Sequence, residues 1–373
     1  MLLCHQSRIA AATARGAAAL SMAVALLGCG PERVVEYADT WPEANALFLG
    51  DSRWVGGDGA LTVPLGGDRI LWLFGDSFIA RGPTRTRDGS AFIRNSVAVQ
   101  TGRDPTRSFI EFYWSHSLEG PRSFLPEQGD SWFWPGHGVR FDGGGLLLFY
   151  GRLRQTEEDL GYASDSWTAV MVDNPDDEPS AWAPRELTIP RHFGIDVGNS
   201  VLRWRDFLYV YSKRGHDHDV YLVRWRTRDA ERGDLTQPSW WCGEAAGWVD
   251  DAGIDAQGVE PAILIEGAAP ELSVHHDAAT GRLLEFETTG FGATTLGVRW
   301  ADAPEGPWSE VEEFLRPPES FLDKAFVYAG KAHPELTGAD VVLTYVPSAF
   351  PEDGIDEPLY YYPRFARATL ERR

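Results

Sequence analysis

One hairpin pattern recurs five times along the 373 residues and constrains the fold more than any other feature of the sequence. Each copy consists of a strand, a turn and a second strand rich in Leu, Phe and Tyr. The copies occupy residues 58–77, 137–152, 198–213, 271–290 and 333–348. Their second strands begin on average about 68 residues apart, which is enough chain for a four-stranded sheet and its loops.

Further strands follow each hairpin. Third strands are predicted at residues 95–100, 166–172, 220–225, 295–300 and 365–370, with outer strands such as 109–114 and 308–315. No amphipathic helical stretch lies between these strands, which excludes parallel βαβ units. The sequence therefore predicts an all-β chain folded as a five-bladed β-propeller. The last blade lacks a fourth strand, which we expect residues 34–48 to supply so that the ring closes.

The N-terminal residues 1–28 have the form of a lipoprotein signal peptide. Arg8 and Arg15 precede an apolar run, residues 16–27, that is too short to span a bilayer. The run ends in Leu-Leu-Gly followed by Cys29, which resembles a bacterial lipobox in which the cysteine is lipidated. A plain signal peptide that happens to carry a cysteine is the alternative.

These features give the expected domain organisation. Residues 29–48 form a short linker with the candidate ring-closing strand, and residues 49–373 form a single five-bladed propeller. We expect a monomer in the cell envelope, held by its lipid anchor in the outer membrane and facing the periplasm or the cell surface. Cys242 is the only cysteine left beside Cys29 after removal of the signal, so the domain has no internal disulfide, and we expect a structural thiol.

Charge excludes one class of partner. The chain carries 34 Lys and Arg against 55 Asp and Glu, a net charge of −21. Nucleic-acid binding needs a basic face that such a chain lacks.

The inner strands of a propeller surround its central channel, and polar residues stand at the starts of all five predicted inner strands. They are Asp58, His137, Asn199, Glu271 and His333. A purely structural channel would be expected to carry small apolar groups, so this convergence indicates a binding or catalytic pocket.

Asp58 and Asp76 can be placed more closely. The first hairpin turns about Gly67, and this register sets the two aspartates opposite each other, with Cβ atoms about 4.5–5.5 Å apart. Two close carboxylates repel, so one is protonated more readily, which is the division of roles that a glycosidase uses. An equally good interpretation is that Asp76 caps a turn, because the same Gly-Asp-Ser sequence occurs at residues 50–52.

Residues 54–78 (WVGGDGALTVPLGGDRILWLFGDSF) resemble the opening signature of a bacterial family of five-bladed β-propellers. That family was formerly listed only as a domain of unknown function, and its members are now glycoside hydrolases that include endo-D-arabinofuranases, which cut D-arabinan. Further matches follow in order at residues 94–96, 134–136, 271–274, 303–308 and 332–336. The resemblance implies that the two essential aspartates fall on Asp58 and Asp76.

Three positions depart from the family pattern. Ser77 stands where Thr is usual, Thr62 where Ser is usual, and His137 where an acidic residue is often found. The third departure leaves the polarity of the pocket, and hence the exact substrate, open.

Seven residues are candidates for binding substrate. They are Arg94, Asn95, Trp134, His137, Asn199, Glu271 and His333. Other roles stay open for three of them. Arg94 would pair equally well with Asp76, and Glu271 would form a hydrogen bond across the channel. His333 would serve as a proton carrier or form hydrogen bonds in the core. Tryptophans 54, 114, 132 and 134 stack on sugar rings or pack in the core.

No cofactor is predicted. A channel Ca²⁺ would find oxygen ligands, but no loop has a recognisable calcium spacing. The cluster at residues 214–219 has ligand-type side chains, although a solvated loop is the simpler interpretation. Phosphate loops, Gly-x-Ser-x-Gly elbows and His-Glu-x-x-His helices are absent from the sequence.

The sequence thus predicts an exported glycoside hydrolase, endo-acting on arabinofuranose-containing polysaccharide, with Asp58 and Asp76 as the catalytic pair. A non-catalytic glycan-binding propeller is the alternative from another class, since fold does not fix function. A glycoside phosphorylase would need a basic phosphate subsite, for which Arg94 alone is weak support.

Overall fold

The computed structural model describes residues 34–82, 86–157, 161–214, 218–289, 295–349 and 360–371. The predicted signal peptide, Cys29 and the centre of the 214–219 cluster lie outside these residues. Within them, no helix is long and apolar enough to cross a membrane.

The described chain begins with β1 (Val35–Thr40) and a 3₁₀ helix, Pro42–Leu49. The next seven strands are β2 (Trp54–Gly57), β3 (Leu61–Gly66), β4 (Arg69–Phe74), β5 (Ser77–Ile79), β6 (Ala91–Ile93), β7 (Ser96–Thr101) and β8 (Phe109–Tyr113). Strands β3, β4, β7 and β8 form sheet 1, and β2, β5 and β6 form a small sheet at its end. The hairpin β9 (Ser115–Ser117) and β10 (Gly120–Arg122) follows.

Two larger sheets come next. Sheet 2 consists of β11 (Ser131–Arg140), β12 (Leu146–Gln155), β13 (Tyr162–Val172) and β14 (Arg185–Glu186), with a 3₁₀ turn at Pro179–Ala181. Sheet 3 consists of β15 (Asp196–Trp204), β16 (Phe207–Lys213), β17 (Val220–Arg226), β18 (Ser239–Trp241) and β19 (Trp248–Asp250). Three short helices lie along sheet 3: α1 (Thr227–Glu231), α2 (Gly243–Ala246) and α3 (Asp251–Gln257).

The last two sheets complete the described fold. Sheet 4 consists of β20 (Leu272–Asp277), β21 (Arg282–Thr288), β22 (Leu296–Ala301) and β23 (Glu312–Leu315), followed by a 3₁₀ turn at Pro318–Phe321. Sheet 5 contains β24 (Ala325–Ala332), β25 (Val341–Ala349), β26 (Arg364–Leu370) and β1, in the order β1-β26-β25-β24.

The first strand of the described chain pairs with the last. Strand β1 runs antiparallel to β26, with Val35 opposite Leu370 and Thr40 opposite Ala366. The fourth strand that we predicted within residues 34–48 is therefore present. Pro42–Leu49 instead forms the 3₁₀ helix, whose Phe48 stacks on Phe365 at a centroid distance of 5.1 Å.

Each second strand of a hairpin is buried over most of its length, because a neighbouring sheet covers each of its faces. This explains why these strands are continuous apolar runs and do not alternate. Five buried clusters fill the spaces between sheets. In each cluster, residues of two neighbouring sheets pack together. The pairs are Leu71 with Leu148 between sheets 1 and 2, Phe149 with Val210 between sheets 2 and 3, and Tyr211 with Leu272 between sheets 3 and 4. Phe286 and Leu343 belong to the cluster between sheets 4 and 5, and Phe365 and Trp72 to the cluster between sheets 5 and 1.

The predicted starts of three inner strands need correction. His137 and Asn199 lie within β11 and β15, at points where the pairing register shifts, and His333 follows the end of β24. The inner strand of sheet 5 precedes His333, so residues 333–340 form the turn that the prediction took for a strand. A bulge adds one residue to a strand and re-aims the side chains around it, which periodicity does not reveal.

Hydrogen bonds connect the inner strands across the sheet boundaries. His137 Nε2 donates to the Thr62 carbonyl oxygen at 2.8 Å, and His137 Nδ1 accepts from the Val201 backbone N–H at 2.9 Å. His333 Nδ1 lies 2.7 Å from Thr62 Oγ1. These three bonds join sheet 1 to sheet 2, sheet 2 to sheet 3, and sheet 5 to sheet 1.

Two serines make the remaining connections. Ser200 Oγ accepts from the Val274 backbone N–H at 2.8 Å, which joins sheets 3 and 4. Ser273 Oγ accepts from the Ala332 backbone N–H at 2.8 Å, which joins sheets 4 and 5. The five inner strands are therefore linked in a cycle of hydrogen bonds, and each bond satisfies a polar group that the sheets would otherwise bury unpaired.

We expect His137→Ala to destabilise the fold by about 1–3 kcal/mol, because it leaves the Val201 N–H and the Thr62 carbonyl without these partners. Denaturant unfolding measures this difference. His116→Ala, at an exposed histidine in β9, is the matched control and should change stability little. Equal effects of the two substitutions would contradict a structural role for the cycle.

Candidate active site

Asp58 and Asp76 face each other where sheet 1 meets the small sheet. Leu61 pairs with Leu73 in sheet 1, and Gly57 pairs with Ser77 in the small sheet. Both pairs have the register that a turn centred on Gly67 predicts for the first hairpin. Between them, the Asp58 N–H donates to the Asp76 carbonyl oxygen at 3.3 Å.

The Asp58 side chain lies in a tyrosine pocket. Its Oδ2 accepts hydrogen bonds from the hydroxyls of Tyr328, at 3.0 Å, and Tyr361, at 3.2 Å. Burial raises the pKa of Asp58 well above its usual range, and the charges of Asp76 and Glu271 raise it further. The two tyrosine hydrogen bonds act in the opposite direction but do not offset burial. The carboxyl of Asp58 thus favours its protonated form.

Gly75 leaves room for this carboxyl. A Cβ at residue 75 would lie 2.5 Å from Asp58 Oδ1, closer than real Cβ atoms approach other atoms. The Gly75 N–H also donates to the Asp58 carbonyl oxygen at 3.0 Å. The glycine before Asp76 is therefore required by the packing of Asp58.

Asp76 has a different environment. It is buried, and its Oδ1 accepts a 2.8 Å hydrogen bond from Trp134 Nε1. Its Oδ2 lies 3.4 Å from Arg94 Nη1, whose guanidinium also lies 4.3 Å from the centre of the Trp132 ring. A cation and an N–H donor both favour a carboxylate over a carboxylic acid.

The two aspartates also interact electrostatically with Lys331, Glu271 and Tyr162. Lys331 is 2% exposed, and its Nζ donates to the carbonyl oxygens of Gly59 and Ala329. Burial lowers the pKa of Lys331 to about 8, against the opposing effect of Glu271 and Asp58. Tyr162 has its pKa raised to about 12 by burial and then by the charges of Glu271, Asp58 and Asp76.

Several predicted binding residues belong to this site. Arg94 and Trp134 contact Asp76 directly, and Glu271 interacts with Asp58 and Lys331. Asn199 Nδ2 donates to the carbonyl oxygen of Pro270, so it anchors the residue that precedes Glu271. Asn199 therefore helps to position the chain at Glu271.

Three other predicted binding residues make hydrogen bonds within the protein. His137 and His333 use both ring nitrogens within the protein, the second on Thr62 and Thr344. Asn95 is 1% exposed, and its amide bonds the backbone of Leu125 and Phe133. Their polar groups join strands and loops in this structure, and binding of substrate by these three residues stays a prediction.

The tryptophans divide in the same way. Trp54 is fully buried in the core, and Trp114 is nearly so. Trp132 and Trp134 line the approach to Asp76 and both pack edge-on against Tyr162. Cys242 is half-buried, and burial raises its pKa, which is typical of a structural thiol.

Sequence reasoning missed Lys331 and the three tyrosines Tyr162, Tyr328 and Tyr361. Lys331 carried a signal, because it is one of only three lysines in a chain whose other cations are arginines, and it lies within an apolar strand. The tyrosines carried none, since strands are generally rich in tyrosine.

Metal binding finds no support in the described part of the chain. No group of three or more His, Cys, Asp or Glu side chains there could hold a metal ion.

Comparisons with known proteins give the family of the chain and a shared fold. The model described as "Domain of unknown function (DUF5005)" matches residues 43–357. A "putative hydrolase" from Bacteroides ovatus superposes with a TM-score of 0.70 at 19% identity, over 91% of this chain and 93% of that one. This likeness shows a shared fold.

Two other solved structures superpose less well. The catalytic domain of a Coprinopsis cinerea GH62 alpha-L-arabinofuranosidase has a TM-score of 0.48 at 10% identity, over 86% of this chain and 93% of that one. An exo-beta-1,3-galactanase from Phanerochaete chrysosporium has a TM-score of 0.48 at 10% identity, over 85% and 63%. No curated protein matches the chain.

We expect Asp58→Asn to stabilise the protein increasingly as pH rises. A raised pKa means that the folded state disfavours ionisation, so wild-type stability falls once pH exceeds the ordinary aspartate value of about 3.9 and levels off above the folded pKa. Each unit of pKa elevation corresponds to about 1.4 kcal/mol. Thermal unfolding between about pH 4 and about pH 8 measures the difference between the variants.

Asp51→Asn is the matched control for this experiment. Asp51 lies in the other Gly-Asp-Ser sequence and caps a turn through the Arg53 N–H. A difference between wild type and Asp58→Asn that does not change with pH would show that Asp58 titrates as an ordinary surface aspartate.

We expect Gly75→Ala to destabilise the fold by about 1–3 kcal/mol through overpacking against Asp58. The cost should shrink in an Asp58→Ala background, which removes the carboxyl, and a double-mutant cycle measures that coupling. Gly151→Ala is the control, because a Cβ there would meet only ordinary contacts. Additive effects at residues 58 and 75 would refute the steric argument.

Proposed function

The chain belongs to the family described as "Domain of unknown function (DUF5005)", and we propose that it is a glycoside hydrolase whose catalytic pair is Asp58 and Asp76. One observation carries the proposal. Two carboxyls lie opposite each other across one pair of strands, and their surroundings favour opposite protonation states. Glycosidases divide acid from nucleophile or base in this way.

The surroundings support a division of roles between the two aspartates. Asp58 is the proton donor, because burial favours its protonated form and both tyrosine hydroxyls occupy Oδ2, which leaves Oδ1 to carry the proton. Asp76 is the nucleophile or base, with Arg94 and Trp134 holding its two oxygens in place. Tyr328 and Tyr361 position Asp58, and their own raised pKa values keep them as donors.

The proposed fold of this hydrolase is a closed five-bladed β-propeller, with sheets 1 to 5 as its blades. Support comes from the five clusters shared by successive sheets, the pairing of β1 with β26 and the cycle of hydrogen bonds among inner strands. In such a ring the two aspartates lie beside the central channel, at the end where β2 and β5 extend sheet 1.

The proposed substrate is an arabinofuranose-containing polysaccharide of the D-arabinan or arabinogalactan type. This part rests on the resemblance of residues 54–78 to the endo-D-arabinofuranase family. The proposed location is the cell envelope, with the mature chain beginning at a lipidated Cys29, and this part rests on the form of residues 1–28.

Activity tests the catalytic pair. The full chain, purified in detergent, is incubated with arabinogalactan and a panel of plant and bacterial polysaccharides, and reducing ends and product lengths are followed. We expect wild type to release oligosaccharides, and both Asp58→Asn and Asp76→Asn to lower the rate by about 10²–10⁴-fold. Asp51→Asn should leave the rate unchanged.

A second substrate separates the two roles. An aryl arabinofuranoside has a leaving group that departs without a proton, so it should restore activity to Asp58→Asn but not to Asp76→Asn. The alkaline limb of the pH–rate profile should report the loss of the Asp58 proton. Rescue of Asp76→Asn instead would reverse the assignment. Binding of a polysaccharide without cleavage would indicate a glycan-binding protein. Cleavage that requires phosphate would indicate a phosphorylase.

A further inference from the structure

An open cavity beside Asp76 has no part in the chemistry described so far. Its volume is about 580 Å³, which is within the range of small-molecule sites. The residues that line it are Arg94, Glu127, Gly129, Asp130, Ser131, Trp132, Arg154 and Gln155. Ser131 and Trp132 are buried and form its floor, whereas Glu127, Asp130, Arg154 and Gln155 are exposed around it.

This cavity is continuous with the catalytic pair. Arg94 lines it and also contacts Asp76 through Nη1 at 3.4 Å. Trp132 and Trp134 are two residues apart on β11, and Tyr162 packs against both rings at centroid distances of 6.5 and 4.8 Å. A ligand chain leaving Asp76 along β11 therefore meets Arg94 and Trp132 next.

The polar groups of the cavity suit a neutral ligand rich in hydroxyls. Two guanidinium groups face two carboxylates, so the lining has no net charge to select an anion. The lining offers donors and acceptors together, including the Gln155 amide. The cavity-lining residue Trp132 also has a buried indole N–H with no hydrogen-bond partner among the described residues.

We propose that this cavity is a binding subsite for neutral sugar units next to the scissile bond. The inference rests on the proposed hydrolase function and deepens it. A subsite open to solvent at its rim lets a polysaccharide continue beyond the bound units, so it favours cleavage within chains over removal of terminal units. Because Glu127 and Asp130 offset the charges of the two arginines, the lining does not favour uronate or phosphate ligands.

The test uses binding, so that it does not depend on catalysis. In the Asp58→Asn background, calorimetry measures the affinity of the full chain for linear arabinofuranosyl oligosaccharides of increasing length. Oligogalacturonide of matched length and inorganic phosphate are the anionic probes. The subsite variant carries Asp130→Asn and Gln155→Ala, and the control variant carries Asp88→Asn and Gln257→Ala at exposed positions outside the cavity.

We expect affinity to rise with oligosaccharide length in the control, and the subsite variant to bind the longer oligosaccharides about 10-fold more weakly, which corresponds to about 1.4 kcal/mol. When Asp58 is restored, the subsite variant should release oligosaccharides of a different length from those that the control variant releases. Equal affinities of the two variants, or tighter binding of the anionic probes, would overturn the subsite. Binding that depends on the cavity in a protein that cleaves nothing would retain the subsite and refute the hydrolase.

Discussion

The cycle of hydrogen bonds among the five inner strands is the constraint on which the rest of the structure depends. Inner strands lie closest to one another, so their polar groups lose water on folding and must be paired within the protein. Thr62 has the central place, because its carbonyl oxygen accepts from His137 and its hydroxyl bonds His333. Burial lowers the pKa of His137 to about 4, which keeps the ring neutral and its Nδ1 free to accept from Val201.

This constraint also explains how the site is separated from the scaffold. The polar residues of sheets 2, 3 and 5 that resembled a ring of binding groups serve largely to join strands. Asp58 precedes the first residue of β3 and Asp76 follows the last residue of β4, so both lie where the hairpin passes into the small sheet. Their oxygens are held by side chains that come from other parts of the chain, chiefly Tyr328, Tyr361, Trp134 and Arg94. The bonds that join the inner strands and the bonds that hold the two carboxyls thus use different residues.

Much of the fold could be read from the sequence, because it is written in local patterns. Four of the five hairpins, the third strands and the register about Gly67 follow from apolar runs and turn residues that are close together in the chain. The error at His333 arose because a turn of eight residues carries the same mixture of Pro, Gly and apolar residues as a strand with its turn. Lys331, two residues earlier, is the group whose charge interacts with Asp58 and Glu271.

What the sequence by itself determined is the all-β class, four of the five hairpins and the opposition of Asp58 to Asp76, since each depends on contacts between residues about 20 apart or fewer in one hairpin. Only the tertiary structure decided the surroundings of the two carboxyls, and with them the raised pKa of Asp58. The pKa of Asp58 depends on burial, on Glu271 and on tyrosines some 270 to 303 residues away. Electrostatic energy depends on distance in space and on exclusion of water, and neither quantity is encoded in local periodicity.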